Sequence, residues 1–317
     1  MDKDPFSDSP EEFSAPGLNP LFRPAYLRRL LASAGFFPQK SRGQNFLIDR
    51  NRGEAIVRAA GLDRGDAVLE IGPGPGALTR ELCLRAGRVA AVERDRVLAR
   101  ILREETRDFT NLEIVEEDFL AVDLPELIRR LRSAAEPNAR LKVVANLPYS
   151  VSGPILARLL ESGAGFTRMV LTLQKEVGER IVSPPGGKRY GRLSVLARIY
   201  SRPEIIAAVS RNSFFPRPRV DSVVVRLEMI PVPELPALDL VFLREVIRAA
   251  FGKRRKMLKN ALAGDRELGY SEPRIQAACS GAGIDPRSRP EELSAGDYIR
   301  LATALAGLER MGSIQIS

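Results

Sequence analysis

Histidine is absent from the 317 residues of the chain. That absence removes Ser–His–Asp triads, imidazole general bases and every zinc site with a histidine ligand. Chemistry here must run on carboxylates, amides, backbone groups or a cofactor. Cysteine is scarce as well. Cys83 and Cys279 lie far apart, form no CxxC pair and read as reduced cytoplasmic thiols. No apolar run reaches the roughly 18 residues that a membrane span needs. The opening stretch, MDKDPFSDSPEEF, is acidic and lacks a basic-then-apolar signal pattern, so a cytoplasmic location is expected. No metal, no membrane and no oligomer beyond a monomer are called for.

The chain is 44% hydrophobic and 28% charged, which places it among folded globular proteins rather than disordered or fibrous ones. Its net charge of +9 is concentrated. Gln174 to Asn260 carries 18 Lys and Arg against 8 Asp and Glu, a local +10 that leaves −1 for the rest. Solubility needs no such concentration. A polyanion, nucleic acid first, is the expected partner, with a solvated basic face as the plain alternative.

Four stretches organise the chain. Residues 1–24 are rich in Pro, Ser and acid and read as a disordered or loosely docked tail. Across 25–230, short β-branched runs alternate with helical patterns, which predicts a parallel sheet flanked by helices. The predicted strands are Ala67–Ile71, Arg88–Glu93, Leu112–Val115, Lys142–Asn146, Met169–Gln174, Glu204–Val209 and Ser222–Glu228. The Pro-rich link Phe214–Val220 is too short for a helical crossover, so the last strand is expected to run antiparallel. Residues 231–238 read as a Pro-rich linker, and 239–317 as a small helical domain. There, Leu243, Val246, Ile247, Ala250 and Phe251, and later Tyr298, Leu301, Ala302, Leu305 and Leu308, repeat at the spacing of a buried helix face.

The first predicted strand runs into Glu70-Ile-Gly-Pro-Gly-Pro-Gly-Ala-Leu-Thr79. Glycines at 72, 74 and 76 allow a sharp strand-to-helix turn and a close ligand approach. The spacing is G-x-G-x-G, not the G-x-G-x-x-G of dinucleotide folds, and a plain connector would share it. Glu93 closes the second strand, where a carboxylate can accept both hydroxyls of a ribose. Asp118 follows the third strand and could accept from an adenine amino group or simply cap a helix. Together the three favour an adenosine-containing ligand across the strand ends.

The fourth strand ends in Asn146-Leu147-Pro148-Tyr149. An aromatic amine becomes nucleophilic only when its lone pair is drawn out of the ring. The Asn146 side-chain oxygen and the Pro148 carbonyl are candidate acceptors for its two N–H bonds. Tyr149 offers a flat face on which the base can stack. With a sulfonium methyl donor such as S-adenosyl-L-methionine no general base is required, which agrees with a chain lacking histidine.

These motifs resemble the ribosomal RNA adenine dimethyltransferases, most closely those of the bacterial small subunit. The likeness runs from about Leu30 to about Leu308. It takes in Ser41-Arg-Gly-Gln-Asn-Phe-Leu-Ile48, the glycine motif, NLPY, Gln174-Lys-Glu-Val-Gly-Glu-Arg180 and Phe214-Phe-Pro-Arg-Pro-Arg-Val-Asp-Ser222. It continues through Arg254-Arg-Lys-Met-Leu-Lys-Asn260 and Arg289-Pro-Glu-Glu-Leu-Ser294. The resemblance implies a Rossmann-like α/β methyltransferase sheet of seven strands, the last antiparallel, with a small C-terminal helical domain. It implies S-adenosyl-L-methionine as methyl donor, with Asn45, Leu47, Gly72, Glu93, Asp118 and Asn146 around it. Tyr149 and Phe214 are implied to sandwich an extruded adenine. Read from the residues alone, Gln44–Leu47 is a loop and Phe214 a core aromatic. The implied substrate is a pair of neighbouring adenosines in a hairpin loop near the 3′ end of 16S rRNA. Four methyl groups would be added to it within an immature small subunit. Arg217, Arg219 and Lys253, Arg254, Arg255 and Lys256 are the expected RNA contacts. Three alternatives stand beside this reading: a large-subunit rRNA methyltransferase of the macrolide-resistance type, a non-catalytic assembly factor, and a nicotinamide-dependent oxidoreductase. The glycine spacing and NLPY disfavour the last.

Overall fold

The computed structural model describes residues 19–39, 43–231, 238–253 and 256–314, with side chains as far as Leu308. Most of the acidic tail, most of the Pro-rich linker, and Arg254 and Arg255 lie outside the described residues. In chain order the elements begin with α1 (Pro24–Ser33), β1 (Phe46–Leu47), α2 (Arg50–Ala60), β2 (Asp66–Ile71) and α3 (Ala77–Arg85). Next come β3 (Arg88–Val92), α4 (Arg96–Glu105), β4 (Leu112–Val115), α5 (Leu124–Ser133), β5 (Arg140–Asn146) and α6 (Ser152–Glu161). The middle of the chain adds β6 (Phe166–Gln174), α7 (Lys175–Val182), α8 (Arg192–Tyr200), β7 (Ser201–Val209), β8 (Phe214–Phe215) and β9 (Ser222–Met229). Four helices follow: α9 (Leu240–Gly252), α10 (Leu258–Ala263), α11 (Glu272–Gly281) and α12 (Ala295–Ile314).

Seven strands form one sheet in the order β4-β3-β2-β5-β6-β9-β7. All seven runs read from the sequence are there; Leu112–Val115 is unchanged, and no end of the others moves by more than three residues. The inner strands are largely apolar on both faces because helices cover both sides of the sheet, and β2 is buried along its whole length, whereas the edge strand β7 exposes Arg202 and Glu204. β9 runs antiparallel to both β6 and β7, as the short link before it requires. The two-residue β1 and β8 make a separate antiparallel pair, with Phe46 opposite Phe215 and Leu47 opposite Phe214. Gln44–Leu47 is therefore not a plain loop, since its second half is a strand.

The order of strands places a switch point between β2 and β5. From β2 the chain winds outward through β3 and β4, then returns to β5 and winds the other way. Loops leaving the carboxyl ends of β2 and β5 thus diverge and leave a crevice between them. The hydrophobic core spreads from the sheet into the C-terminal helices, where Leu243, Val246, Ile247, Tyr298, Leu301, Ala302 and Leu305 are fully buried. Tyr298 satisfies its hydroxyl by donating to the Pro290 carbonyl at 2.8 Å. Among the described residues no helix is long and apolar enough to cross a membrane.

Candidate active site

At the crevice lies a cavity of about 210 Å³, walled by the ends of β2, β3 and β5, the turn after β4, and the segment around β1. The glycine motif forms its floor. Gly72, Gly74 and Gly76 all have positive φ, a conformation that side chains resist. A Cβ on Gly74 would come within 2.9 Å of the Phe46 ring, so only glycine lets β1 close over this turn.

Glu93 fastens the turn to β3. Its Oε2 accepts from the Gly74 amide at 3.0 Å and its Oε1 from the Asp95 amide at 2.9 Å. Burial raises the Glu93 carboxyl above the usual range, and those two backbone donors pull it back. Each oxygen keeps a lone pair for a further donor. Asp118 is more open. Its Oδ1 accepts from the Leu120 amide at 2.9 Å and its Oδ2 meets the Arg94 guanidinium at 3.1 Å. The backbone bond from Leu120, then the Arg94 contact, hold its carboxyl below the ordinary value.

On the opposite wall, the Asn146 amide nitrogen donates to the Asn45 carbonyl at 2.9 Å. Its Oδ1 is buried and has no hydrogen-bond partner. An orphaned buried acceptor is costly, so an Oδ1 left open at a cavity wall is suited to a donor that arrives with a ligand. The Pro148 carbonyl accepts from the Val151 amide at 3.2 Å, which leaves it one lone pair. Tyr149 is locked by a 2.5 Å hydrogen bond between its hydroxyl and that of Ser222.

Asn45, Leu47, Gly72, Glu93, Asp118, Asn146, Pro148 and Tyr149 all line this one cavity. Phe214 does not. It is 2% exposed and packs in the core with Leu47, Val209 and Val224, where the residue-level reading placed it. β8 pairs with β1, with Phe214 opposite Leu47 in the same buried cluster. A second, open cavity of about 520 Å³ shares Gly43, Asn45, Tyr149 and Ser150 with the first and is bordered by Arg217 and Arg219. Lys253 spends its ammonium group on the Gly264 carbonyl at 2.8 Å, closing the end of α10. Lys256 is exposed in the turn before α10.

Sequence reasoning passed over Glu70 as a functional group. It is fully buried, lines the cavity, and its Oε2 has no partner. Burial raises its carboxyl to about 8, with the Thr79 hydroxyl opposing and the Glu93 charge adding to the rise. A lone carboxylate inside the otherwise apolar predicted run Ala67–Ile71 was the available signal. The apolar wall from Leu98, Phe119 and Ile155 carried none.

The arrangement can hold an adenosine-bearing cation. A glycine turn lets it approach, two carboxylates stand at the ends of β3 and β4, and a buried acceptor lies in the same wall as Asn45 and Tyr149, which also border the second opening. Residues 36–306 match the model of the family described as ribosomal RNA adenine dimethylase. The chain is 44% identical over 277 residues to the ribosomal RNA small subunit methyltransferase A of Moorella thermoacetica, covering 87% of this chain and 95% of that one. It is 41% identical to the Streptococcus pneumoniae serotype 2 protein of the same name, covering 88% and 96%. Among solved structures it resembles a dimethyladenosine transferase from Plasmodium falciparum, with a TM-score of 0.65, 25% identity and coverage of 84% and 98%. It also resembles the 23S rRNA methyltransferase ErmE, with a TM-score of 0.58, 28% identity and coverage of 83% and 100%.

Proposed function

The chain belongs to the ribosomal RNA adenine dimethylase family, and from that premise we propose that it dimethylates N6 of adenosines in 16S rRNA. The target is two neighbouring adenosines in the hairpin loop near the 3′ end, presented by an immature small subunit. The identities of 40% and more to small-subunit methyltransferases support this substrate over large-subunit rRNA. The observation that carries the reading is the unpartnered Asn146 Oδ1, buried at the wall of the donor cavity, which Tyr149 also lines.

S-adenosyl-L-methionine, when bound, supplies an electrophilic methyl carbon on a positively charged sulfur. The residues present fit it: Glu93 would accept the ribose hydroxyls, Asp118 the adenine amino group, and Gly72 would admit the methionine portion. On the other side, Tyr149 carries the target base. Asn146 Oδ1 and the Pro148 carbonyl accept its two N6–H bonds. Those bonds pull the nitrogen toward a tetrahedral shape and aim its lone pair at the methyl carbon. The proton that the methylated amine must lose would pass to solvent. A hairpin loop suits this site because an unpaired base is cheaper to extrude than a paired one. Arg217 and Arg219 border the side from which RNA would approach.

The test is methyl transfer from labelled S-adenosyl-L-methionine to small subunits that lack the modification, with mass spectrometry of the nucleosides. Dimethyladenosine at the two neighbouring positions is expected. Transfer to large-subunit RNA alone, or donor binding with no transfer at all, would overturn the reading.

A further inference from the structure

Gln174, the last residue of β6, lines the open cavity of about 520 Å³ together with Asn45, Tyr149, Arg217 and Arg219, and lies outside the donor cavity. A half-buried glutamine is commonly just solvated. This one is placed by its strand. In the β6–β9 ladder it stands opposite Ser222, whose hydroxyl holds that of Tyr149. Two residues back, Thr172 stands opposite Asn146. Residues two apart on a strand share a face, so Gln174 lies on the side of the sheet that Asn146 faces, about 6.5 Å further along the strand direction. Among the described residues its side-chain amide makes no hydrogen bond.

The arginine rim of the cavity is tied to the same place. The Arg211 amide donates to Asp221 Oδ1 at 2.9 Å, and the Arg211 guanidinium to the Arg219 carbonyl at 3.2 Å. The Lys175 amide donates to the Asp221 carbonyl at 3.0 Å, which fastens that loop to the residue after Gln174. Arg217 and Arg219 are exposed and in no ion pair among the described residues, so both guanidinium groups are open to phosphate. A glutamine amide presents an acceptor beside a donor. Adenine presents the matching pair, its N6–H donor beside a ring-nitrogen acceptor, whereas the corresponding edge of guanine carries the acceptors O6 and N7 only.

We propose that the open cavity receives the adenosine next to the one being methylated, and that Gln174 determines specificity there by pairing with its amino edge. The proposal rests on the rRNA dimethyltransferase reading and names the residue that recognises the second base. Strand polarity fixes which side of the target faces the cavity, so only one of the two adenosines has its neighbour read in this way. A neighbour that carries two methyl groups on N6 has no N–H left to donate. The adenosine whose neighbour is read is therefore methylated before that neighbour is finished.

The probes are small subunits reassembled around 16S rRNA in which each adenosine of the pair is replaced in turn by guanosine. Single-turnover transfer to the remaining adenosine is compared with transfer to it in the intact pair. Wild type is expected to lose about 10-fold on one of the two adenosines and little on the other, within what a bidentate amide–adenine pair supplies. Dimethyladenosine at the replaced position should give the same loss. Gln174→Ala should methylate that adenosine slowly even in the intact pair and lose nothing further on replacement. Its affinity for S-adenosyl-L-methionine should be that of wild type, which separates lost recognition from a damaged fold, since Gln174 lies outside the donor cavity. Equal responses of wild type to the two replacements would overturn the proposal without recourse to any variant. So would an asymmetry that persists in Gln174→Ala. Either result beside wild-type methylation of the intact pair sinks this inference alone. A wild-type chain that methylates neither adenosine sinks the functional reading with it.

Discussion

The Asn146 side chain donates to the Asn45 carbonyl across 2.9 Å, joining residues 101 positions apart. With the amide nitrogen committed, the oxygen has one way to point, and no partner meets it. The segment before β1 thus orients the residue that ends β5. Asn146→Ala should lower methyl transfer by about 100-fold or more, as loss of an oriented polar group at a reacting centre does. Donor affinity should fall far less. Single-turnover transfer, together with calorimetric titration of S-adenosyl-L-methionine, checks both. Retained transfer would show that the amine is oriented by other groups.

The inner sheet strands were legible because a strand buried on both faces is a short apolar run bounded by polar or Gly-rich turns. No comparable local signal marks Phe46–Leu47 or Phe214–Phe215. Each is two residues long and owes its conformation to the other, across more than 160 positions of chain. Phe214 shows where residue-level reading and resemblance part: the first places it in the core, the second beside a target base, and here it lies in the core, 2% exposed. The carboxylates Glu93 and Asp118 were legible because each follows a strand at the same edge. Their partners, the amides of Gly74, Asp95 and Leu120, were not, since those bonds depend on how each turn closes.

Glu93 does two things that a single substitution can separate. Glu93→Gln keeps one acceptor oxygen and puts an amide where the second was, so it can still tie down the Gly74 turn through one bond. Glu93→Ala removes both. Donor affinity should fall in each, by about 10-fold for Gln and about 100-fold for Ala, the losses expected for one and two hydrogen bonds to a charged group. The maximal rate at saturating donor should change little in Glu93→Gln. A fall in maximal rate with unchanged affinity would place Glu93 at the reacting centre instead.

Arg217 and Arg219 border the opening through which Tyr149 and Asn45 are reached. If both contact phosphates, Arg217→Ala with Arg219→Ala should flatten the slope of log affinity against log salt by about 1.4 to 1.8, about 0.7 to 0.9 for each lost contact. The loss should be similar for different RNA sequences, since phosphate contacts carry no base information. Filter binding of 16S rRNA fragments over a salt series measures it. An unchanged slope would mean that the two side chains face solvent in the complex.

Glu70 makes the stability of the protein depend on pH in an unusual direction for a carboxylate. Burial raises it from 4.5 to about 8. Below pH 4.5 it is protonated in the folded and unfolded chains alike, so it contributes no difference. Between there and pH 8 the unfolded chain releases the proton while the folded chain keeps it. The folded state then binds more protons, and stability falls as pH rises. Above pH 8 both forms are ionised and the loss levels off. Glu93, raised in the same direction, would add to the slope, so wild type alone cannot isolate one carboxyl. Glu70→Gln removes the titration at nearly constant shape. Relative to wild type it should gain a few kcal/mol between pH 5 and pH 8, at about 1.4 kcal/mol for each tenfold difference in proton affinity between the folded and unfolded chains. Urea unfolding of both proteins at the two pH values gives the difference. A gap that does not widen with pH would mean that Glu70 ionises in the fold as readily as in the unfolded chain, and that water or a cation reaches its unpartnered oxygen.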